Sequence, residues 1–152
     1  MLETRIPPPV YALSIALLMW GLAAYVPVLE WLPHPWNRVG LLVMGMALLV
    51  DFWSLWLFFR VRTTPNPLRP DRTRQLVTQG LYRYTRNPMY VGLLVMLAGW
   101  ALYLGKFSPL LLLPVFVWII ERQQILPEEA VLQAKFGQAY RDYQQRVPRW
   151  LW

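Results

Sequence analysis

The chain has 152 residues, 57% hydrophobic and 15% charged, with nine tryptophans, no cysteine and a formal net charge of +7. These proportions suit one compact membrane bundle and exclude disulfides, cysteine nucleophiles and thiolate metal sites. The single histidine, His34, stands between two prolines and far along the chain from the arginine-rich stretch, so imidazole metal sites and an ordinary serine triad have nothing to be built from.

After a head carrying Arg5 and three successive prolines, residues 10–29 form an apolar run long enough to cross a bilayer, with Pro27 near its far end. A cleaved signal peptide competes with this reading, but its apolar core would be shorter and its flank more basic. Residues 30–38 make a tight polar turn whose Trp31 and Trp36 suit the headgroup level. The second span covers residues 39–59. Asp51 interrupts it well below the interface marked by Arg60, either facing a substrate cavity or making a structural polar contact with a neighbouring helix.

A long polar loop, residues 60–87, follows. Three prolines stiffen residues 63–70 into an extended strap, and Leu76, Val77 and Gly80 form a small apolar contact and turn that deliver Tyr82. The decapeptide 83–92 then carries polar chain into lipid. Asn87 and Pro88 read as a helix start, with the asparagine side chain as cap and proline at the first helical position. Tyr82, Tyr84 and Tyr90 cluster beside the free N–H groups of that end, which attract an anion. The competing reading is a membrane anchor, since arginine-flanked, tyrosine-rich helix ends occur there too.

The third span covers residues 89–105, and Gly105, Ser108 and Pro109 turn it straight into a fourth at residues 107–122. That fourth run is short and contains Pro114. A re-entrant segment is the alternative to a full crossing. Beyond Pro127, the stripe Leu132, Phe136, Tyr140, Tyr143 and Val147 predicts an amphipathic helix over 128–147. The acidic pair Glu128 and Glu129 at its start suits the first turn of any helix as well as a ligand site. The expected fold is therefore all-α, a single domain with four transmembrane helices and a C-terminal amphipathic helix. Arg38 and Lys106 are the only basic residues in the turns on one side. The other thirteen of the fifteen put both termini, the long loop and the C-terminal helix in the cytoplasm. Nucleic acid is set aside, because the charge falls between apolar spans and not on a soluble face.

Leu76-Val77, Gly80-Leu81-Tyr82, Arg86-Asn87-Pro88-Met89-Tyr90 and Glu128-Glu129 with Leu132, Phe136 and Gly137 occur in that order. Together with the closing Tyr140, Tyr143 and Val147-Pro148-Arg149, they resemble the isoprenylcysteine carboxyl methyltransferase and phospholipid methyltransferase superfamily. The resemblance covers roughly residues 60 to 152. It implies S-adenosylmethionine as methyl donor on the cytoplasmic face and a lipid or other lipophilic acceptor entering from the membrane. Carried over by position, the donor-binding residues would be Leu76, Val77, Tyr82, Arg86, Asn87, Pro88, Tyr90, Glu128 and Glu129. Asn87 and Arg122 would serve catalysis or acceptor binding. Asn87 departs from the histidine usual in the isoprenylcysteine branch and looks like the phospholipid version. That leaves the acceptor open.

The residues fit a sulfonium donor on chemical grounds as well, since aromatic faces, carboxylates and N–H donors suit its cation, its hydroxyls and amine, and its carboxylate. Two other readings compete. One is a membrane reductase of the sterol reductase type using NADPH, and the other a non-enzymatic scaffold whose basic loop binds anionic lipid.

Overall fold

A computed structural model describes residues 6–60 and 76–152. The expected strap at 63–70 lies outside the described residues. Six α-helices occupy them: α1 Pro8–Tyr25, α2 Val39–Arg60, α3 Pro88–Leu104, α4 Leu112–Ile120, α5 Leu126–Phe136 and α6 Gln138–Arg146. Each boundary has a local cause. Pro8 opens α1, where a missing N–H costs nothing, and Pro27 stops it well before residue 29 because the residue ahead of a proline is driven from helical angles. Pro88 opens α3. Gly105 closes it in the left-handed region at φ 69°, with its N–H returned to Ala101 and Leu102.

The C-terminal half differs from the expectation. The fourth span does not stop near Arg122, because a 3₁₀ turn at Ser108–Leu111, α4, a π turn at Glu121–Ile125 and α5 run on as one helical rod, Ser108–Phe136. Nor is 128–147 one helix: Gly137, at φ 54° and ψ −121°, breaks it between α5 and α6. Pro127 does not end the rod. It falls at the start of α5, just past the π turn, which had already interrupted the ordinary hydrogen-bond ladder.

Three helices are long and apolar enough to cross a membrane, Pro8–Tyr25, Trp36–Leu57 and Ser108–Phe136, and Pro88–Leu104 is a shorter apolar one. Their outward faces carry Leu13, Leu17, Leu42, Leu49, Phe52, Trp53 and Trp118, all exposed. A continuous apolar belt of that kind suits hydrocarbon as solvent.

α3 sits at the centre, packed by α2 along much of its length and by α1 and α4. Glycines bring α2 and α3 together: a Cβ on Gly40 would fall 2.3 Å from the Gly99 carbonyl oxygen, and one on Gly99 2.7 Å from the Met44 side chain. Close backbone approach is how helices gain contact where lipid offers no hydrophobic drive. On the other flank, Trp100 Nε1 donates to the Ala16 carbonyl at 3.0 Å. Ile15, Met19, Leu97, Phe116, Ile120 and Ile125 fill the core, and Trp150 of the tail joins them.

One end of the bundle is closed by its two turns. Phe107 N–H donates to the carbonyls of Val28 and Leu29, Trp31 N–H donates to Gly105, and Lys106 pairs with Glu30 at 2.5 Å.

Candidate active site

The opposite end gathers residues from the loop before α3, the rod and the tail. Gly80, at φ 59°, permits a 3₁₀ turn, Gly80–Arg83, that buries Tyr82 against Leu57 and Val77. Leu76 packs on the neighbouring cluster of Tyr140, Tyr143 and Val147, with Leu132 and Phe136. Tyr143 OH donates to the Tyr82 carbonyl at 2.7 Å, so α6 holds the turn. Burial pushes the phenols of Tyr82, Tyr140 and Tyr143 above their ordinary range.

The motif at the start of α3 is fastened by the tail. Arg86 N–H donates to the Pro148 carbonyl at 2.9 Å, and the Arg149 carbonyl accepts from both Thr85 Oγ1 and Asn87 Nδ2 at 3.0 Å. Asn87 does stand ahead of Pro88, but its side chain makes no cap bond; the tail carbonyl has captured its amide. Its own backbone N–H is satisfied by Thr85 Oγ1 at 3.2 Å. The anion-attracting helix end is thus built without the expected cap.

Charge is concentrated around Glu129. Arg86 Nη2 lies 3.0 Å from its Oε1, and Arg149 grips it with two prongs, Nε to Oε1 at 3.1 Å and Nη2 to Oε2 at 2.7 Å. The third prong of Arg149 reaches Glu121. These contacts raise the Arg149 guanidinium above its ordinary value, with the Glu129 hydrogen bonds as the largest cause. The π turn explains how Glu121 and Glu129 share one arginine. An unbroken α-helix advances about 100° per residue, so eight residues overshoot by roughly 80°. The wider π turn under-rotates and cancels most of that.

The acidic pair is therefore divided. Both oxygens of Glu129 are taken by arginines. Glu128 accepts from Tyr90 OH at 3.1 Å through Oε2, and no bond engages its Oε1 among the described residues. Arg86 Nε is buried with no partner among the described residues.

Of the residues singled out by sequence, Leu76, Val77, Tyr82, Arg86, Asn87, Pro88, Tyr90, Glu128 and Glu129 share this end. Arg122 is exposed on the rod, and its neighbour Glu121 pairs with Arg149. Thr85 and Arg149 were given no role in the site by sequence reasoning, and Glu121, expected only as a partner for Arg122, pairs with Arg149. The only sequence signal for Arg149 was its place in the closing Val-Pro-Arg.

Fold and site together define a multi-pass, all-helical membrane protein whose polar end is a buried cluster of arginines, carboxylates and tyrosines. The family model for phospholipid methyltransferase matches residues 36–139. The chain belongs to that family, within the superfamily that also holds the isoprenylcysteine methyltransferases. It is 41% identical over 78 residues to the protein-S-isoprenylcysteine O-methyltransferase of Schizosaccharomyces pombe, covering 51% of this chain and 33% of that one. It is 26% identical over 139 residues to protein-S-isoprenylcysteine O-methyltransferase A of Arabidopsis thaliana, covering 90% of this chain and 71% of the relative. A Delta(14)-sterol reductase of Mus musculus is 32% identical over 77 residues, which is 18% of its length. The chain thus spans about a third of the fission-yeast relative. No solved structure matches it.

Proposed function

We propose that the chain transfers a methyl group from S-adenosylmethionine to a lipid or other lipophilic acceptor at the polar end of the bundle. The observation that carries this reading is that Arg86 Nε, which is buried, and Glu128 Oε1 both lack a hydrogen-bond partner among the described residues at one end of the bundle. A donor with both a carboxylate and free hydroxyl or amine groups matches that pair of openings. Arg86 would take the carboxylate, Glu128 a hydroxyl or the amine, and Tyr82 and Tyr90 would supply aromatic faces near the sulfonium. Leu76, Val77 and Pro88 would line the pocket. Glu129 acts through Arg86, and Asn87 by holding the tail. When bound, S-adenosylmethionine supplies an activated methyl group, and the chain's contribution is orientation in a dry site.

We assign the acceptor side to Arg122, because it is exposed next to Glu121, where an entering lipid meets the rod. Arg122→Lys is expected to keep donor binding and lose most turnover, since a point charge cannot reproduce a two-pronged contact. Normal turnover of the lysine variant at every acceptor concentration would leave Arg122 an anchor.

Four crossings with both termini and the polar end in the cytoplasm fit the charge bias. Under that arrangement a cysteine at Lys106 reacts with an impermeant reagent from outside and one at Arg141 does not; the reverse pattern inverts the protein.

The function is tested by thermal stabilisation and by labelled methyl incorporation into a total lipid extract. S-adenosyl homocysteine is expected to raise the melting temperature, and labelled methyl to enter lipid. Stabilisation by NADPH alone would favour the reductase reading raised by the sterol reductase likeness, and stabilisation by neither would leave a scaffold.

A further inference from the structure

Glu121 stands at the outer edge of the ion cluster. It opens the π turn and pairs with Arg149, whose other nitrogens hold both oxygens of Glu129, and Arg86 meets Glu129 from the loop before α3. Side-chain exposure falls along this chain of contacts, from 31% at Glu121 and 30% at Arg149 to 11% at Glu129 and 10% at Arg86. The turn that carries Glu121 is held from a second side as well. Gln124, buried in the same turn, donates from Nε2 to the Ile6 carbonyl at 2.7 Å, which fastens the rod to the segment ahead of α1. The backbone under Glu121 therefore has a support that does not pass through Arg149. A substitution at Glu121 removes a charge at a partly solvated rim and leaves the inner contacts of Glu129 in place.

The charges along these contacts cancel. Arg86 and Arg149 bring two cations, and Glu121 and Glu129 bring two anions. Without Glu121, two guanidiniums share one carboxylate. Glu128 contributes equally with or without Glu121, since its hydrogen bond is to Tyr90 on α3, so loss of Glu121 moves the whole polar end by one positive unit. In a partly buried setting such a charge is felt over roughly 10 Å. A sulfonium donor and its product respond differently to that field. S-adenosylmethionine is cationic at sulfur, whereas S-adenosyl homocysteine is an uncharged thioether, and the two are otherwise alike apart from the methyl group.

We propose that Glu121 is a specificity residue for the methyl donor: by cancelling Arg149 it keeps the polar end from repelling a sulfonium, and so sets how tightly the cationic donor is held relative to the uncharged product. It acts through Arg149 and through the field of the site, without touching either ligand. The inference deepens the methyl-transfer reading and rests on it. A carboxylate that served the fold alone would weaken both ligands alike when removed, because neither fit nor packing distinguishes a charge at sulfur.

The test uses the full chain in detergent without added acceptor, titrated calorimetrically with S-adenosylmethionine and with S-adenosyl homocysteine. The readout is the ratio of the two dissociation constants, donor over product. Glu121→Gln is expected to raise that ratio by about fivefold, the scale of one unit charge acting at such a range. Added salt should shrink the shift, since Glu121 lies at the rim. Glu121→Asp keeps the charge and should leave the ratio within about twofold of the wild type. Glu121→Met, uncharged and of similar length, repeats the measurement independently of how Glu121→Gln folds. A ratio that stays within about twofold in the uncharged variants overturns the proposal, as does Glu121→Asp shifted as far as Glu121→Gln. If neither uncharged variant folds, Glu121 is a structural residue and the proposal fails. A wild type that binds neither ligand overturns methyl transfer and this assignment together, whereas one that binds both, with a ratio indifferent to Glu121, overturns this assignment alone.

Discussion

Both ends of the bundle carry ion pairs, and they are built on opposite plans. Lys106 and Glu30 meet at 2.5 Å with the Glu30 side chain 54% exposed, across turns that backbone hydrogen bonds already close. Glu129 is 11% exposed, and its two arginines come from segments that no regular secondary structure joins. The first pair decorates a junction that exists without it. The second creates a junction between the α3 approach, the rod and the tail. Water screens the one, while burial forces the other to remain matched.

The largest effect that would break this contrast is expected at Arg149. Arg149→Ala leaves Glu129 and Glu121 short of their shared cation and should destabilise the protein by about 2 kcal/mol, between the scale of an exposed pair and that of a buried one. Thermal melting in detergent checks this, and stabilisation by S-adenosyl homocysteine should disappear with it. A variant that melts like the wild type would mean that Trp150 and the backbone carbonyls of residues 148 and 149 hold the tail without the guanidinium.

Tyr90→Phe sharpens the same side. It removes one hydrogen bond to Glu128 while keeping the ring, and donor affinity should fall by about 1 kcal/mol, roughly fivefold. Calorimetric titration with S-adenosyl homocysteine reads it. Equal affinity would show that Glu128 needs no orienting partner.

The smallest change is expected at the other end. Glu30→Ala should cost under about 1 kcal/mol, since an exposed pair stabilises weakly and salt screens it. A loss as large as that of Arg149→Ala would erase the distinction between the two ends.

Much of the bundle was legible from apolar run lengths and proline placement, which act locally. Pro88 and Gly105 bound α3 for reasons contained in their own backbones. The C-terminal half was less legible because its geometry depends on contacts between distant segments. Pro127 and the polar residues after Ile120 suggested an end to the fourth helix, yet the π turn carried the rod through them. Resemblance pointed to residues that share one end of the bundle but could not divide Glu128 from Glu129. That division follows from Arg149, twenty residues beyond Glu129, and no periodicity links the two. Arg122 drew notice by sequence proximity to the acidic pair, and it is exposed on the rod.

The fastening of residues 148 and 149 to Thr85, Arg86 and Asn87 also sets an order of events during synthesis. α1, α2 and α3 have all left the ribosome, and their glycine-lined contacts are available, long before the tail emerges. Until then Thr85 and Asn87 lack the carbonyl that accepts from them, and Glu129 has only one of its two arginines. A nascent or truncated chain lacking residues 147–150 would thus be inserted and packed, yet have no finished pocket. Completion of the polar end is thereby tied, by connectivity alone, to the arrival of residues 148–150.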